Sequence, residues 1–297
     1  MTTPNPPTSS PHLKVSFPHE YIAHVEISRP TKLNAFISPM WSALPPLFSH
    51  LSTDPSIRCI ILSGTGSRAF TSGLDVTAAS SPDSVFALAN PDSSSVDPAR
   101  KSSLLLRHIT DIQACITAIA KCGKPVIAAV HGLCWGLGVD LITACDVRFA
   151  SPGASFCVKE IDIGLAADVG TLSRLPKCVG SASWVKDVCL SARVFGAEEA
   201  LQQGLVSRVS KGEGGGGAED QKGAVVEMAM EWARGVVEKS PVAVQGTKEL
   251  LDWGWDRGVE EGLRYTAVWN AGMLQTRDVR EAMTAGMEKR KARFEKL

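Results

Sequence analysis

The hydrophobic positions in the first half of the chain predict several β-strands. Tyr21–Ser28 alternates between apolar and polar residues, which is the period of a strand with one covered face and one solvated face. Cys59–Leu62, Val126–Val130 and Val147–Ala150 are short, largely apolar runs. Runs of this length between turn residues predict strands that are buried within a sheet.

Other segments carry the longer period of a helix. Five aliphatic residues recur at spacings of four, three, four and three, namely Leu105, Ile109, Ile112, Ile116 and Ile119. This spacing places them on one face of a helix, and Gly123 is a typical residue for ending it. Leu141–Cys145 predicts a short helix, and residues 224–297 have a helical pattern throughout. The amphipathic ending Arg277–Arg293 requires a partner for its apolar face.

Three polar segments divide the chain. Residues 1–13 predict a disordered tail, residues 78–100 a mobile loop rich in Ser, Pro, Asp and Ala, and Lys211–Gly223, with four consecutive glycines, a flexible surface loop. Strands alternate with helices between the first and the last of these segments, which favours an α/β fold. We therefore predict an α/β core over residues 14–223 and a helical region over residues 224–297.

The composition narrows the classes of function. A chain of 297 residues, 44% of them hydrophobic, can bury one substantial core. Basic and acidic residues both number 31, and no basic stripe indicates a nucleic-acid binder. The longest apolar runs fall short of the roughly 18 residues that a transmembrane helix requires. The eight cysteines lack the paired spacing of a zinc site, and their apolar surroundings favour a reducing intracellular compartment.

Two glycine-containing turns follow predicted strands, at Phe70–Asp75 and His131–Gly138. Glycine lets a backbone approach a ligand closely, and one N–H group from each turn would together form an oxyanion hole. The second turn also opens a helix, whose N-terminus favours negative charge. The alternative is that both turns are only tight connections. A dinucleotide site is disfavoured because the spacing is not G-x-G-x-x-G.

Three acidic residues lie in otherwise apolar surroundings, namely Asp140, Glu160 and Asp168. Each has a structural explanation. Asp140 would complement a helix dipole, Glu160 would lie on a solvated strand edge, and Asp168 would cap a helix over Val169–Leu175. Their concentration within 29 residues, close to the glycine turns, favours a catalytic interpretation, since buried carboxyl groups in different environments divide into an acid and a base.

Four neighbouring polar residues are interpreted as structural. Asp146 lies at the end of a predicted helix, and Asp162 is expected to face away from Glu160. His108 and His131 each lie beside a predicted helix or turn. A single histidine in such a position most often fills a structural role.

Four motifs together resemble the enoyl-CoA hydratase/isomerase (crotonase) superfamily. They are Arg29–Ala35 (RPTKLNA), Ser72–Asp75 (SGLD), Lys124–Gly132 (KPVIAAVHG) and Gly138–Asp146 (GVDLITACD). The resemblance runs from about residue 14 to the end of the chain. Three longer segments resemble the Δ3,5-Δ2,4-dienoyl-CoA isomerases of this superfamily, namely Val158–Pro176, Ser240–Lys248 and Trp269–Thr276.

This resemblance implies a crotonase-like spiral of ββα units, with a helical C-terminal region used in trimerisation, and a homo-trimer or homo-hexamer. It implies that an acyl-CoA binds at Ser72, Gly73, Leu74, Asp75, Val76 and Leu137. The backbone N–H groups of Leu74 and Leu137 would form the oxyanion hole. The family usually has glycine where Leu137 stands, so the leucine side chain would narrow the pocket or tilt its N–H group.

The resemblance also assigns the acids. Hydratases of the superfamily carry glutamate at the places of both Asp140 and Glu160, whereas here the first acid is the shorter aspartate and Asp168 occupies the isomerase position. The expected reaction converts a 3,5-dienoyl-CoA into a 2,4-dienoyl-CoA in the β-oxidation of unsaturated fatty acids. Glu160 and Asp168 would transfer protons at C2 and C6, and Asp140 would assist as a third acid. No metal or redox cofactor is expected, and coenzyme A is part of the substrate.

Two other classes of function stay open at this point. The first is an enoyl-CoA hydratase, or an isomerase that moves a single double bond from Δ3 to Δ2. The second is a catalytically idle binding protein with the same fold. The acid trio argues against the idle protein, because nothing structural requires all three.

The last three residues, Glu295–Leu297, resemble the peroxisomal ending Ser-Lys-Leu with glutamate at the first place. The start of the chain lacks the pattern of a signal peptide or a mitochondrial presequence. We expect a peroxisomal location, with the mitochondrion and the cytosol as alternatives.

Overall fold

The computed structural model describes residues 10–81, 96–211 and 217–297. The first nine residues of the predicted tail, the middle of the predicted loop at 82–95, and residues 212–216 lie outside the described residues.

The described residues form ten strands and eleven α-helices. In chain order these are β1 (Leu13–His19), β2 (Tyr21–Ile27), α1 (Ser38–Thr53), β3 (Ile57–Gly64), β4 (Ala69–Thr71), α2 (Val76–Ala79), α3 (Pro98–Ala120), β5 (Val126–Val130), β6 (Leu133–Trp135), α4 (Leu137–Thr143), β7 (Val147–Ala150), β8 (Ser155–Cys157), α5 (Thr171–Cys178), α6 (Ala182–Ser191), β9 (Phe195–Gly196), α7 (Ala197–Gln202), β10 (Arg208–Val209), α8 (Ala218–Val237), α9 (Pro241–Gly254), α10 (Val259–Met273) and α11 (Arg277–Met287). Two 3-10 segments cover Pro30–Lys32 and Glu160–Ile163.

The strands form two sheets that the chain visits in turn. The larger sheet has the order β1-β2-β3-β5-β7-β10, and the smaller has the order β4-β6-β8-β9. Parallel pairing holds except at the hairpin β1–β2 and at β8–β9. Each of β3, β5 and β7 is followed by a strand of the smaller sheet and then by a helix. This repeated ββα unit confirms the predicted crotonase-like spiral.

Both faces of the larger sheet are covered, which explains the uninterrupted apolar runs in its central strands. All eight residues of β3 are buried. One face of the sheet packs against the buried side of α1. The other face packs against α8. The sheet residues there are Cys59, Ile61, Ile127, Ala129 and Phe149, and the helix residues are Val225, Ala229 and Met230. The hairpin strand β2 keeps the predicted alternation, with Val25 and Ile27 buried and His24 and Glu26 half-buried.

Two predicted loops are shorter than the sequence indicated. Helix α3 begins at Pro98, because Asp97 accepts hydrogen bonds from the backbone N–H groups of Ala99 and Arg100 at 3.0 and 3.1 Å. Helix α8 begins at Ala218, inside the predicted loop Lys211–Gly223. There the backbone N of Gly217 donates to Asp220 Oδ2 at 3.0 Å, and such capping compensates the unpaired donors of a first turn.

The C-terminal region is helical as far as Met287 but not to its end. The prediction of helix through residue 297 is wrong for the last stretch, since residues 291–297 form no helix. Arg58 holds it in place by donating from Nη2 to the carbonyl oxygens of Phe294 and Glu295 at 2.9 and 3.1 Å. Among the described residues, no helix combines the length and apolar character needed to cross a membrane.

Candidate active site

A cavity of about 490 Å³ lies where the two glycine turns meet α1, α3 and the segment after β8. Its polar lining includes Ser72, Asp75, His108, Lys159, Glu160 and Asp168. Its apolar lining includes Phe36, Trp41, Leu74, Val76, Leu105, Ile109, Ile112, Leu137 and Val169. The cavity is therefore largely apolar and has three carboxyl groups in its lining, of which that of Asp75 is paired with Arg29.

The two glycine turns pass directly against each other in this cavity. Gly73 has a φ of 99°, and a Cβ atom placed there would lie 2.9 Å from the carbonyl oxygen of Trp135 and 3.7 Å from the backbone N of Leu137. Both the backbone conformation and the space therefore require glycine at residue 73. The two glycine turns of the sequence therefore lie in contact at this point.

The RPTKLNA motif holds the first glycine turn in place through hydrogen bonds. Asn34 is fully buried, and its Nδ2 donates to the carbonyl oxygens of Thr65 and Ala69 at 2.9 and 2.8 Å. Arg29 donates from Nη1 and Nη2 to Asp75 Oδ2 at 3.1 and 3.2 Å. Asp75 in turn caps α2, so the arginine and the asparagine fix the position of the cavity wall.

Two backbone N–H groups at this crossing remain available to a ligand. Leu74 and Leu137 donate to no backbone acceptor within the described chain, whereas their neighbours Asp75 and Gly136 donate to Phe36 O and Cys157 O. Leu137 is the first residue of α4, where a backbone donor has no intrahelical acceptor. Leu137 is 3% exposed and packs with the main core, while it also lines the cavity.

Glu160 stands at the start of the 3-10 segment that follows β8, rather than on a solvated strand edge. Gly136 leaves room for its carboxyl group, since a Cβ atom at residue 136 would lie 3.3 Å from Glu160 Oε1. Oε2 is buried and has no hydrogen-bond partner in the described structure. Burial raises the pKa of Glu160, and the charge of Asp168 adds to this effect.

Asp168 lies across the same cavity, near the helix α3. Gln113 of α3 holds its backbone by donating from Nε2 to the carbonyl oxygen of Asp168 at 2.6 Å. Burial raises the pKa of Asp168, and the nearby His108 opposes this rise. Helix α5 begins at Thr171 after Gly170, so Asp168 is not the cap of that helix and its side chain is left to the cavity.

Asp140 does not line the cavity but lies fully buried behind it. Its Oδ1 accepts hydrogen bonds from the backbone N and the Oγ1 of Thr171 at 2.5 and 2.7 Å, while Oδ2 is buried without a partner in the described residues. Burial, and then the charge of Glu160, raise the pKa of Asp140 to about 7. The three predicted acids thus divide into two at the cavity surface and one behind it.

Three of the polar residues that the sequence analysis interprets as structural are outside the cavity lining. Asp146 is structural, because its Oδ2 accepts from the backbone N of Val126 at 2.7 Å and from Lys248 Nζ at 2.8 Å. Asp162 forms an ion pair with Lys159 at the surface. His131 is buried and its Nε2 contacts the Gly66 carbonyl oxygen at 2.9 Å. Burial lowers the pKa of His131 to about 4.

His108 and Thr171 are the site residues that the sequence did not indicate. His108 lies on the cavity wall beside Asp168, although it reads as a structural histidine on a helix. His108 is three residues after Leu105 and four before Ile112, so the helical period places it on the same face of α3 as the aliphatic stripe. This position was a signal that the sequence offered for its place at the cavity. Thr171 bonds a carboxyl group 31 residues away, and no local pattern marks such a contact.

Comparisons with known proteins agree with this arrangement. The family model for enoyl-CoA hydratase/isomerase matches residues 18–94 and 106–296. The chain is 43% identical to the mitochondrial Delta(3,5)-Delta(2,4)-dienoyl-CoA isomerase of Mus musculus, over 94% of this chain and 80% of that protein. It is 44% identical to the peroxisomal Delta(3,5)-Delta(2,4)-dienoyl-CoA isomerase of Arabidopsis thaliana, over 93% of both.

A solved structure shows the same architecture. The enoyl-CoA hydratase/carnithine racemase of Magnetospirillum magneticum superimposes with a TM-score of 0.80 at 25% identity, covering 96% of each chain. The family match, the two relatives and this structure all span nearly the whole chain. The chain belongs to the enoyl-CoA hydratase/isomerase family.

Proposed function

We propose that this protein is a Δ3,5-Δ2,4-dienoyl-CoA isomerase that works by proton transfer between carboxyl groups. The observation that carries the proposal is the presence of Glu160 and Asp168 in one apolar cavity, beside the available N–H groups of Leu74 and Leu137. The relatives named above, at 43% and 44% identity, carry the same activity in their names.

The N–H groups would bind the oxygen on which charge develops. Removing a proton from C2 of a 3,5-dienoyl thioester gives an enolate conjugated with both carbon–carbon double bonds, and its negative charge collects on the thioester oxygen. Donors from Leu74 and Leu137 at that oxygen would stabilise the transition state, and one such donor typically contributes about 2.7–4 kcal/mol. The apolar walls strengthen this interaction, because they exclude water from the reacting atoms.

Two of the cavity carboxyl groups, those of Glu160 and Asp168, would carry the proton at each end of the conjugated system. One of them takes the proton from C2, the electron pair moves along the chain, and the other gives a proton to C6. Because burial raises the pKa of both groups, each can hold or accept a proton closer to neutral pH than an exposed carboxyl group. The double bonds move within one molecule, so no cofactor has to supply electrons.

An ultraviolet assay with purified protein tests this function. We expect conversion of a 3,5-dienoyl-CoA to the conjugated 2,4-dienoyl-CoA, with little hydration of a 2-enoyl-CoA in a separate reaction. Fast hydration without isomerisation would instead identify an enoyl-CoA hydratase. Absence of turnover on both substrates, with the thioesters still bound, would identify an acyl-CoA-binding protein.

The proposed assembly is a homo-trimer or homo-hexamer, formed through the C-terminal helices. Apolar side chains on α9, α10 and the turn between them are exposed in the single chain, among them Leu251 at 69%, Val259 at 81%, Leu263 at 66% and Val268 at 68%. A surface of this kind is typical of a subunit contact. Light scattering of the purified protein tests it, and a monomer would contradict it.

The proposed location is the peroxisome. Relatives carry both mitochondrial and peroxisomal labels in their names, and the ending Glu295–Leu297 resembles a peroxisomal signal. A fluorescent protein fused before the first residue tests the proposal in cells. We expect peroxisomal fluorescence that is lost when Leu297 is removed, and mitochondrial or cytosolic fluorescence would contradict it.

A further inference from the structure

The Asp140 carboxyl group has one oxygen occupied and one without a partner. Thr171 donates twice to Oδ1, at 2.5 Å from its backbone N and 2.7 Å from Oγ1. Asp140 Oδ2 and Glu160 Oε2 are both buried and lack a partner in the described residues. Gly136, the N-cap of α4, lies against Glu160 Oε1, and Asp140 lies in the first turn of the same helix. The charge of Glu160 accordingly raises the pKa of Asp140. Buried carboxyl oxygens of this kind are unfavourable unless they share a proton, directly or through a water molecule.

We propose that Thr171 is a positioning residue that holds Asp140 so that its Oδ2 shares one proton with Glu160 Oε2. The assignment rests on the proposed function only in taking Glu160 as one of the two proton-transferring groups. With both hydrogen bonds on Oδ1, the carboxyl group of Asp140 cannot rotate freely. The shared proton keeps the pair at a single negative charge while the thioester is bound.

The titratable groups around Asp140 come from three elements. Glu160 comes from the 3-10 segment, Arg174 from α5, and the thiol of Cys134 from β6. Arg174 is anchored to α3, where its Nη2 donates to Thr117 Oγ1 at 2.8 Å, and its positive charge favours the ionised form of Asp140. Burial keeps the Cys134 thiol protonated, so the charge balance rests on Asp140, Glu160 and Arg174.

The hydrogen bonds from Thr171 to Asp140 give the activity a defined pH response. Thr171 donates to Asp140, and donors favour the ionised carboxylate. Loss of the Thr171 hydroxyl therefore raises the pH at which the pair gives up its last proton. When the pair releases this proton, two negative charges lie side by side, so kcat should fall at alkaline pH. The fall should begin at higher pH when the hydroxyl is missing.

Thr171→Val tests the assignment, and Thr171→Ser keeps the hydroxyl. We expect the alkaline limb of kcat in Thr171→Val to move up by about half to one pH unit. Thr171→Ser should follow the wild type. Thr143→Val is the matched control, because the Thr143 hydroxyl is buried in the same region but bonds only the carbonyl oxygens of Val139 and Asp140. The alkaline limb of kcat in Thr143→Val should not move.

Infrared titration of the protonated carboxyl band gives a second readout that needs no turnover. The band should titrate in the wild type, move with Thr171→Val, and disappear in Asp140→Asn. A limb and a band that stay in place in folded Thr171→Val would overturn the proposal, as would a band that persists in Asp140→Asn. If the wild type fails to isomerise while the band behaves as described, the proposed function fails and the role of Thr171 stands.

Discussion

At Asp140, burial and a neighbouring carboxylate act in the same direction. The pKa of this group is raised from 3.8 to about 7, so the folded protein retains a proton that the unfolded chain releases. A raised pKa of an acid stabilises the folded state fully below the unfolded value, and this contribution is lost as the pH rises through the folded value.

We therefore predict that the free energy of unfolding falls between about pH 4 and pH 7, by up to about 4 kcal/mol from this residue. Asp140→Asn should remove this dependence. Urea unfolding at several pH values measures it, with Asp162→Asn, a surface carboxyl in an ion pair, as the control. An unchanged slope in Asp140→Asn would mean that Asp140 is already ionised in the folded protein.

Leu137 separates the backbone contribution of a residue from that of its side chain. Its backbone N lies at the crossing of the two turns and has no backbone acceptor in the described chain, while the residue is 3% exposed and packs with the core. We predict that Leu137→Ala lowers the free energy of unfolding by about 2–5 kcal/mol and leaves kcat within a few-fold of the wild type, since the N–H donor persists. A kcat loss of about 100-fold or more in a folded variant would show that the side chain sets the donor's direction.

At the scale of elements, α3 shows where the sequence pattern succeeds and where it is incomplete. The aliphatic stripe correctly predicts a single helix. Only Ile116 and Ile119 are fully buried, whereas Leu105, Ile109 and Ile112 line the cavity. Hydrophobic spacing identifies a covered face, but it does not distinguish a protein core from a wall that covers an apolar ligand.

The α3 wall should therefore select the length of the acyl chain. We predict that Ile109→Trp lowers kcat/KM for long-chain dienoyl-CoA about tenfold or more and affects short-chain substrates less. Leu106→Trp is the control, since Leu106 is 65% exposed on the same helix. Equal loss for all chain lengths would place the acyl chain elsewhere.

The candidate site was predictable from sequence to the extent that it lies on motifs. Ser72–Val76, Leu137, Glu160 and Asp168 all meet at the cavity. The position of Asp140 behind it depends on packing between α4 and α5, and the contribution of His108 depends on how α3 turns toward the cavity. Such contacts join residues far apart in the chain, so periodicity and spacing do not determine them.

At the scale of the whole molecule, an ion pair between a buried lysine and a half-buried aspartate joins the C-terminal helices to the α/β core. Lys248 of α9 donates from Nζ to Asp146 Oδ2 at 2.8 Å and to the carbonyl oxygen of Lys124 at 3.2 Å. Asp146 also accepts from the first residue of β5. The α9 helix thus completes the hydrogen bonding of a carboxylate at the N-terminal ends of β5 and β7, two interior strands of the larger sheet.

We predict that Lys248→Met lowers the free energy of unfolding by up to about 3 kcal/mol, because it leaves the half-buried Asp146 carboxylate without its cation. Chemical denaturation measures this, with the exposed Lys239→Met as the control. Asp146→Asn combined with Lys248→Met should recover part of the loss. Equal stability of Lys248→Met and the control would mean that the pair does not hold the helices to the core.

The most direct test of the proposed proton transfer is to measure kcat for 3,5-dienoyl-CoA isomerisation in Glu160→Gln and Asp168→Asn. We predict that both variants fold and bind the thioester, while kcat falls by at least about 100-fold in each, as expected when a proton-transferring group is removed. Asp162→Asn, which neutralises a surface carboxyl in the same 3-10 segment as Glu160, should retain wild-type turnover. Unchanged turnover in a folded Asp168→Asn or Glu160→Gln variant would contradict the assignment of these two acids as the proton-transferring pair.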